Sequence, residues 1–169
     1  VDVAFDAEGQ QGDVAWAGTA TLEGEIDELP VATSRKAAWK YGPDGWLVDA
    51  ELAAFGGRID ADASSSATIS TASFDVADLD LRALSRLARI SPINGAVTGR
   101  STFTNDTGRQ ATADVQINIA NANPEGVTAD PVNVEIMGRL RDGQLTTVAT
   151  GSGQGFRLEA GSMLGMIDG

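Results

Sequence analysis

The stretch "PVNVEIMGRLRDGQL", residues 131–145, alternates apolar and polar side chains and then turns. Successive side chains of a strand point to opposite faces, so Val132, Val134 and Ile136 would share one face and Glu135 the other. The "RDGQ" that follows contains the Asp-Gly pair favoured in two-residue hairpin turns. The stretch therefore predicts a strand with one apolar face and a tight reversal into an antiparallel partner.

The same alternation recurs along the chain. Apolar residues occupy every second position in 113–119, 14–22 and 46–52, and more briefly in 1–5. Turn sequences separate these runs: "GPDG" at 42–45, "NDTG" at 105–108 and "NPEG" at 123–126. Short strands joined by such turns predict an all-β protein with a mostly antiparallel, meandering sheet.

One segment, "DLDLRALSRLARISPING", interrupts the strand pattern. Leu81, Leu84 and Leu87 recur at the spacing of one helix face. Asp80 is a suitable N-cap, and Pro92 would end the helix. A helix of two or three turns is too short to be stable alone, so we expect these three leucines to cover the apolar face of the sheet.

The composition excludes several functional classes. The chain has 24 acidic and 12 basic residues and a net charge of −12, which disfavours binding to nucleic-acid phosphates and to anionic lipid head groups. It has no cysteine and no histidine, which removes thiol chemistry, the commonest general base and the commonest metal ligand. A Gly-x-Ser-x-Gly nucleophile motif is also missing. We therefore predict a protein that is not an enzyme, needs no cofactor or metal and binds no nucleic acid.

Several acidic residues leave a calcium site open as a second interpretation. They are Asp60, Asp62, Asp75, Asp78 and Asp80. Carboxylate oxygens are the ligands that Ca²⁺ prefers, but the EF-hand spacing is missing. Because these acids alternate with apolar residues, we interpret them as the solvated face of strands.

Tryptophans and glycines also allow two interpretations. Trp16 and Trp46 share the register of the apolar runs and are predicted to pack in a core. Trp39, within "RKAAWKYG", is either a sugar-stacking residue or part of an exposed sheet edge protected by lysines, and the edge is favoured.

"GSGQG" at 151–155 lacks the lysine of a phosphate loop and is predicted to be a flexible loop or a bulge.

Alternation by itself leaves two architectures open. In a β-sandwich, two apolar faces close on each other and the core is dry. In an open, folded-over sheet, the apolar faces stay apart and line a trough. The mostly small and medium side chains are compatible with a cavity for acyl chains, and an exposed apolar trough would need a ligand or partner.

The segment "FDVADLDLRALSRLARISPINGAVTGRSTF" resembles the recurring passage of the TamB family, within the broader AsmA-like group. In that family a strand with alternating leucines leads into a short L-x-x-L helix, a proline-containing turn and a strand bearing x-G-x-V-x-G. The matching positions here are Leu79, Leu81, Leu84, Leu87, Pro92, Gly95, Val97 and Gly99. The resemblance covers residues 69–165 best and the rest of the chain loosely.

The resemblance implies a fold, a location and a role. TamB-like proteins are anchored in the inner membrane of diderm bacteria and span the periplasm, and their repeats form a curved sheet folded lengthwise, the β-taco. They partner TamA, an outer-membrane barrel of the Omp85 superfamily. They are implied to move phospholipid between the membranes and to assist assembly of outer-membrane proteins. Residues 1–169 would then be a single segment of a longer repetitive β-groove domain, with the inner-membrane anchor outside it.

We therefore predict an all-β, curved, mostly antiparallel sheet folded lengthwise, with one short helix and an apolar groove for phospholipid acyl chains. The predicted groove residues are Val97, Phe103, Val115, Ile117, Ile119, Val134, Ile136, Leu140, Phe156 and Leu158. Two alternatives remain open. One is a dry β-sandwich that serves as a binding module or adhesin-like segment, and the other is a chaperone-like sheet edge that pairs with strands of barrel substrates.

Overall fold

A computed structural model describes residues 2–11 and 15–165, and the side chains of Phe156 and Leu164 lie outside that description. Val1 and Val14, which begin two of the alternating runs, also lie outside the described residues. The elements in chain order are β1 (Asp2–Gln11), β2 (Trp16–Ile26), β3 (Leu29–Gly42), β4 (Gly45–Ala54), β5 (Gly57–Ser65), β6 (Ile69–Asp80), α1 (Leu81–Leu87), β7 (Ile93–Asp106), β8 (Thr112–Pro124), β9 (Val132–Arg141), β10 (Gln144–Gly153) and β11 (Phe156–Gly165).

All eleven strands of the described residues belong to one antiparallel sheet. Their order in the sheet is their order in the chain, so every strand pairs with its sequence neighbours. Within the described residues β1 pairs with β2 alone and β11 with β10 alone, so the sheet is not closed. The prediction of an all-β, meandering antiparallel sheet with one short helix is confirmed.

Tight turns fix the register between strands. Asp27–Glu28, Phe55–Gly56 and Asp142–Gly143 each place two consecutive residues at positive φ, which is the type I′ geometry of a two-residue hairpin. The turn predicted from "RDGQ" is therefore confirmed. The prediction for "GSGQG" was wrong, because its first three residues continue β10 and a tight turn at Gln154–Gly155 leads directly into β11.

The two ends of the sheet differ. One end, called here the helix end, carries α1 and the turns at 27–28 and 55–56, and the opposite end is called the far end. β-Bulges add extra residues to β6 and β8 towards the helix end, where Asp78 and Asn121 adopt positive φ, and to β3 within residues 33–38. Because bulges bend a strand and increase its twist, those in β6 and β8 curve the sheet near α1.

Helix α1 begins and ends as the sequence predicts. The Oδ1 atom of Asp80 accepts a hydrogen bond of 2.8 Å from the backbone N–H of Arg82, which is the N-cap interaction. The helix ends at Leu87, before Pro92, and its backbone contacts lie with β6 and β7.

The buried core is small and lies at the helix end. The buried hydrophobic side chains among the described residues are Val31, Ala54, Leu79 and Ala83, each between 4% and 6% exposed. The prediction that Trp16 and Trp46 pack in a core was wrong, because their exposed fractions are 47% and 41%. Most of the sheet therefore lacks a second layer among the residues that the structure describes.

Candidate functional site

The two faces of the sheet differ completely in charge. Directly opposed residues of neighbouring strands share a face, so the register defines an apolar face and a charged face. One cross-strand row of the apolar face runs through Gly9, Gly18, Trp39, Val48, Ala63, Ala72, Phe103, Ala113, Leu140 and Leu145. Among the paired positions of the described strands, this face carries no Asp, Glu, Lys or Arg.

Two further rows of the apolar face lie nearer the helix end. The first runs through Leu52, Ile59, Val76, Gly99, Ile117, Ile136, Ala149 and Ala160. The second runs through Leu79, Val97, Ile119, Val134, Gly151 and Leu158. The rows run across the strands, so an apolar track about 48 Å long follows the strand order from β1 to β11.

The register brings the predicted groove residues to the apolar face. Val97, Phe103, Val115, Ile117, Ile119, Val134, Ile136, Leu140 and Leu158 all lie there. Seven of them are half-buried, while Phe103 is 40% exposed and Leu158 68% exposed. The side chain of the tenth predicted residue, Phe156, lies outside the described residues.

Helix α1 covers the apolar face at the helix end. Its most enclosed residues are Ala83 and Ser85, whereas the predicted covering residues Leu81, Leu84 and Leu87 are half-buried. The Ser85 hydroxyl donates a hydrogen bond of 2.7 Å to the Leu81 carbonyl, so its burial leaves no donor unpaired. The sequence pattern predicted the helix, but its most deeply buried residues are small ones that carry no periodic signal.

Two arginines tie α1 to distant parts of the sheet. Arg82 forms an ion pair of 2.8 Å with Glu125 in the loop after β8. Arg86 lies 3.4 Å from Glu28 and from the carbonyl of Asp27, in the turn between β2 and β3. A flat sheet would separate these two loops by six strand spacings, about 29 Å, whereas Arg82 and Arg86 are only one helical turn apart. A sheet that curves towards α1 on its apolar face explains how one short helix reaches both loops.

Both faces contain concave regions, which differ in chemistry. On the apolar face, a cavity of about 220 Å³ lies between Phe74, Leu79, Val97 and Ile117. On the charged face, a cavity of about 450 Å³ is lined by residues that include Arg100, Met137 and Arg139. A twisted sheet has hollows on either side, so the chemistry of the lining and not the size of the cavity separates the two faces.

Ion pairs cross the strands of the charged face. Arg35 is hydrogen-bonded to Asp49, and this bond raises the pKa of the Arg35 guanidinium. Arg139 and Arg141 both bind Asp114. Exposed pairs of this kind contribute little stability individually, so we interpret this face mainly as the water-facing surface that keeps the sheet soluble.

The Asp114 pair predicts a pH dependence of stability. The hydrogen bond from Arg141 is the largest cause that lowers the pKa of Asp114 below its ordinary value of 3.8. A carboxylate whose pKa is lowered by folding stabilises the folded state above pH 3.8, and this contribution is lost as the pH falls through the folded-state pKa. Asp114→Asn should therefore be less stable than the parent at pH 7, and the difference should shrink below pH 3.8.

Urea unfolding between pH 7 and pH 2.5 measures this effect. Arg141→Gln serves as the partner variant, and the double variant should lose less stability than the sum of the two single variants. A stability difference that stays constant down to the lowest pH would contradict the role of the Asp114 carboxylate.

The charged face also contains unfavourable pairs. Asp49 is directly opposite Asp62, and Asp60 is directly opposite both Glu51 and Asp75. Like charges at directly opposed positions destabilise a sheet. Within the part of the chain that the structure describes, no group of three or more acidic residues is arranged to hold a metal ion.

Replacing Asp62 with Thr should stabilise the protein. The change removes the repulsion from Asp49 and introduces a residue that favours strands, so we expect a gain of about 0.5–1 kcal/mol and a Tm increase of about 1–4 °C. Glu159→Thr is the control, because its directly opposed residue, Thr150, is uncharged. Thermal melts at low and high salt test the prediction, and a gain that does not shrink at high salt would contradict the electrostatic explanation.

The aromatic residues at the far end form the part of the apolar face that sequence reasoning placed wrongly. Trp16, Tyr41 and Trp46 are directly opposed on three adjacent strands. Trp39 is in the same strand as Tyr41 and is half-buried on the apolar face. The prediction that Trp39 marks a sheet edge was wrong, because β3 pairs with both β2 and β4.

Comparison with protein-family models, with curated proteins and with solved structures finds no match to this chain. Among residues 2–11 and 15–165, no helix combines the length and the apolar character needed to cross a bilayer. The functional conclusion therefore depends on the chemistry of the sheet itself.

Proposed function

We propose that this chain carries phospholipid acyl chains along its apolar face and so conducts phospholipid between the inner and outer membranes. The single observation that supports this most strongly is an apolar face with no charged residue at its paired, described positions and with no described layer over it except α1 at the helix end. In this proposal the sheet folds lengthwise, so that the apolar face lines a trough and the head groups stay in water along the open side.

The dimensions and energetics support an acyl ligand. The apolar track of about 48 Å is about three times the hydrocarbon depth of one bilayer leaflet, about 15 Å. Apolar contact contributes roughly 25 cal/mol per Å² removed from water, and no charged side chain at a paired position of this face interrupts the track. No bond is made or broken in such transport, which agrees with a chain that lacks histidine and cysteine.

The resemblance to TamB-like proteins supports the rest of the proposal. We place the protein in the periplasm, as one segment of a longer groove whose inner-membrane anchor lies outside this chain. The proposed partner is the TamA barrel of the outer membrane, and the proposed wider role is to support assembly of outer-membrane proteins. A dry sandwich would bury the apolar face, whereas Trp46, Phe74 and Phe103 on this face are each at least 40% exposed.

Native mass spectrometry of the purified protein, with lipid extraction from the same preparation, tests the proposal. We expect phospholipid to co-purify, or to bind when added, with a mass increment of one or more lipid molecules. A lipid-free mass that does not change when phospholipid is added would contradict the proposed function and would favour the dry sandwich.

A second candidate function, a chaperone-like edge, is supported by β1. All ten residues of this edge strand are exposed, and within the described residues it pairs with β2 alone. An unpaired strand edge can accept a further strand from a partner. A photo-crosslinker placed at Ala4 or Ala7 would capture barrel strands if β1 has this role, and crosslinks confined to other surfaces would exclude it.

A further inference from the structure

The three tryptophans and the single tyrosine of the chain lie together at the far end of the apolar face. We call Trp16, Trp39, Tyr41 and Trp46 the aromatic cluster. The exposed fraction is 47% for Trp16, 62% for Tyr41 and 41% for Trp46. Aromatic residues make up only 5% of the chain, so this concentration on three adjacent strands indicates a built surface.

Two glycines of neighbouring strands leave the space that the Trp39 ring occupies. A Cβ atom added to Gly9 would lie 2.5 Å from Trp39 Cζ2, and one added to Gly18 would lie 2.7 Å from the same atom. Gly18 is opposed to Gly9 on β1 and to Trp39 on β3. The indole therefore lies across the bare backbone of β2 and β1, which restricts its orientation.

The electrostatic surroundings of the aromatic cluster favour a cation. The chain has a net charge of −12, and Asp44 lies in the turn that joins the strand of Tyr41 to the strand of Trp46. Lys40 lies on the charged face, opposite Ala17 and Leu47. The field of the protein therefore repels anionic ligands, while the faces of aromatic rings attract ammonium groups.

Polar groups continue the same row beyond the rings. Ser65 is directly opposite Trp46, and its Oγ atom lies 2.7 Å from the Oγ atom of Ser70. One hydroxyl of this pair donates to the other, so one hydroxyl hydrogen of the pair is free for a further acceptor. The row therefore presents rings for a cation and, next to them, a hydroxyl donor for a phosphate oxygen.

We propose that the aromatic cluster binds the ammonium-bearing head group of a zwitterionic phospholipid, whose acyl chains lie on the adjoining apolar face. This inference rests on the proposed function and adds selectivity to it, because a phospholipid whose head group has no ammonium, such as phosphatidylglycerol, lacks the cation that the rings attract. Tyrosine and tryptophan combine an apolar body with a polar tip, so they suit the boundary between hydrocarbon and water.

Intrinsic tryptophan fluorescence reports directly on the aromatic cluster, because every tryptophan of the chain belongs to it. The protein is titrated with short-chain phosphatidylcholine and with phosphatidylglycerol of the same acyl length, both below their micelle concentrations. In 1 M salt the Debye length is about 3 Å, so long-range repulsion of the anionic lipid is screened. We expect phosphatidylcholine to bind about threefold more tightly, or better, under these conditions.

Variants separate head-group selectivity from acyl binding. Trp46→Leu and Tyr41→Leu should bring the two lipids to nearly equal affinity while both still bind. Gly9→Ala, which displaces the Trp39 ring, should also reduce the preference. Phe74→Leu is the matched control, because Phe74 is 47% exposed on the same face but lies outside the aromatic cluster. Native mass spectrometry provides the binding readout where loss of a tryptophan weakens the fluorescence.

The possible outcomes distinguish a failure of head-group selectivity from a failure of the proposed function. Equal affinity of the unmodified protein for the two lipids would overturn head-group selectivity and leave the proposed function intact. A preference that survives in folded Trp46→Leu and Tyr41→Leu would overturn the role of the aromatic cluster. If neither lipid binds, both proposals fail.

Discussion

Replacing Ile136 with Glu is expected to abolish phospholipid binding while the protein stays folded. Ile136 lies in the apolar row between Ile117 on β8 and Ala149 on β10, so the new carboxylate would lie where we place an acyl chain. Covering a charge with hydrocarbon costs several kcal/mol, and a cost of about 3 kcal/mol lowers affinity by about 100-fold. In the lipid-free protein this half-buried position still gives the carboxylate access to water, so the fold should tolerate the change.

Met137→Glu is the matched control for this prediction. Met137 is the next residue of the same strand, points to the charged face and is 44% exposed. Met137→Glu therefore adds the same charge to the same strand but leaves the apolar face unchanged. Native mass spectrometry should find lipid on Met137→Glu and none on Ile136→Glu. Equal lipid loads on the two folded variants would contradict binding at the apolar face.

Leu79→Ala should cause the largest loss of stability among conservative single changes. Leu79 is 6% exposed, lies opposite Val97 and belongs to the small buried core at the helix end. Removing its side chain would leave a cavity where the sheet meets α1, and such changes cost about 2–4 kcal/mol. For a chain of this length we expect Tm to fall by about 5–15 °C.

Leu47→Ala tests whether this loss comes from burial. Leu47 lies on the charged face of β4 and is 46% exposed, so the same chemical change should cost less than about 1 kcal/mol. Thermal and urea unfolding of both variants measure the difference. If the two variants lost equal stability, the helix end would not contain the main core of the described protein.

The strands and their faces could be predicted from the sequence because the determining signals are local. Period-two alternation predicts which residues of a strand share a face. Tight turns such as Asp142–Gly143 determine how one strand aligns with the next. A one-residue shift would turn every side chain of a strand to the other face. For this reason Ile117 and Ile136, predicted separately to lie on an apolar face, are directly opposed in the structure.

The sequence could not predict which parts of the apolar face are covered. Alternation assigns side chains to a face but does not show whether another element packs against that face. Trp16 and Trp46 have the register of core residues and are nevertheless exposed. The position of Trp39 in an interior strand depends on pairing with β2 and β4, which its own neighbours in sequence do not reveal. Ala83 is buried while the leucines of α1 are half-buried, and no repeating pattern in the sequence marks that difference.

The strand count restricts how the apolar face can be extended. Because the sheet is an antiparallel meander of eleven strands in chain order, β1 and β11 run in the same direction. A second copy added by translation would have to pair its β1 with β11 in parallel, which is slightly less stable. Two copies related by a twofold axis perpendicular to the sheet could pair β11 with β11 in antiparallel fashion.

That twofold arrangement would continue the apolar face, but it would set the helix end of one copy beside the far end of the other. The aromatic clusters would then lie at opposite margins, and a lipid moving from copy to copy would have to turn its head group across the track. An antiparallel strand contributed by the same chain imposes no such reversal. Further hairpins added within one chain would therefore keep the apolar track continuous. They would also keep the edge of that track where we place the head groups on one side of the sheet.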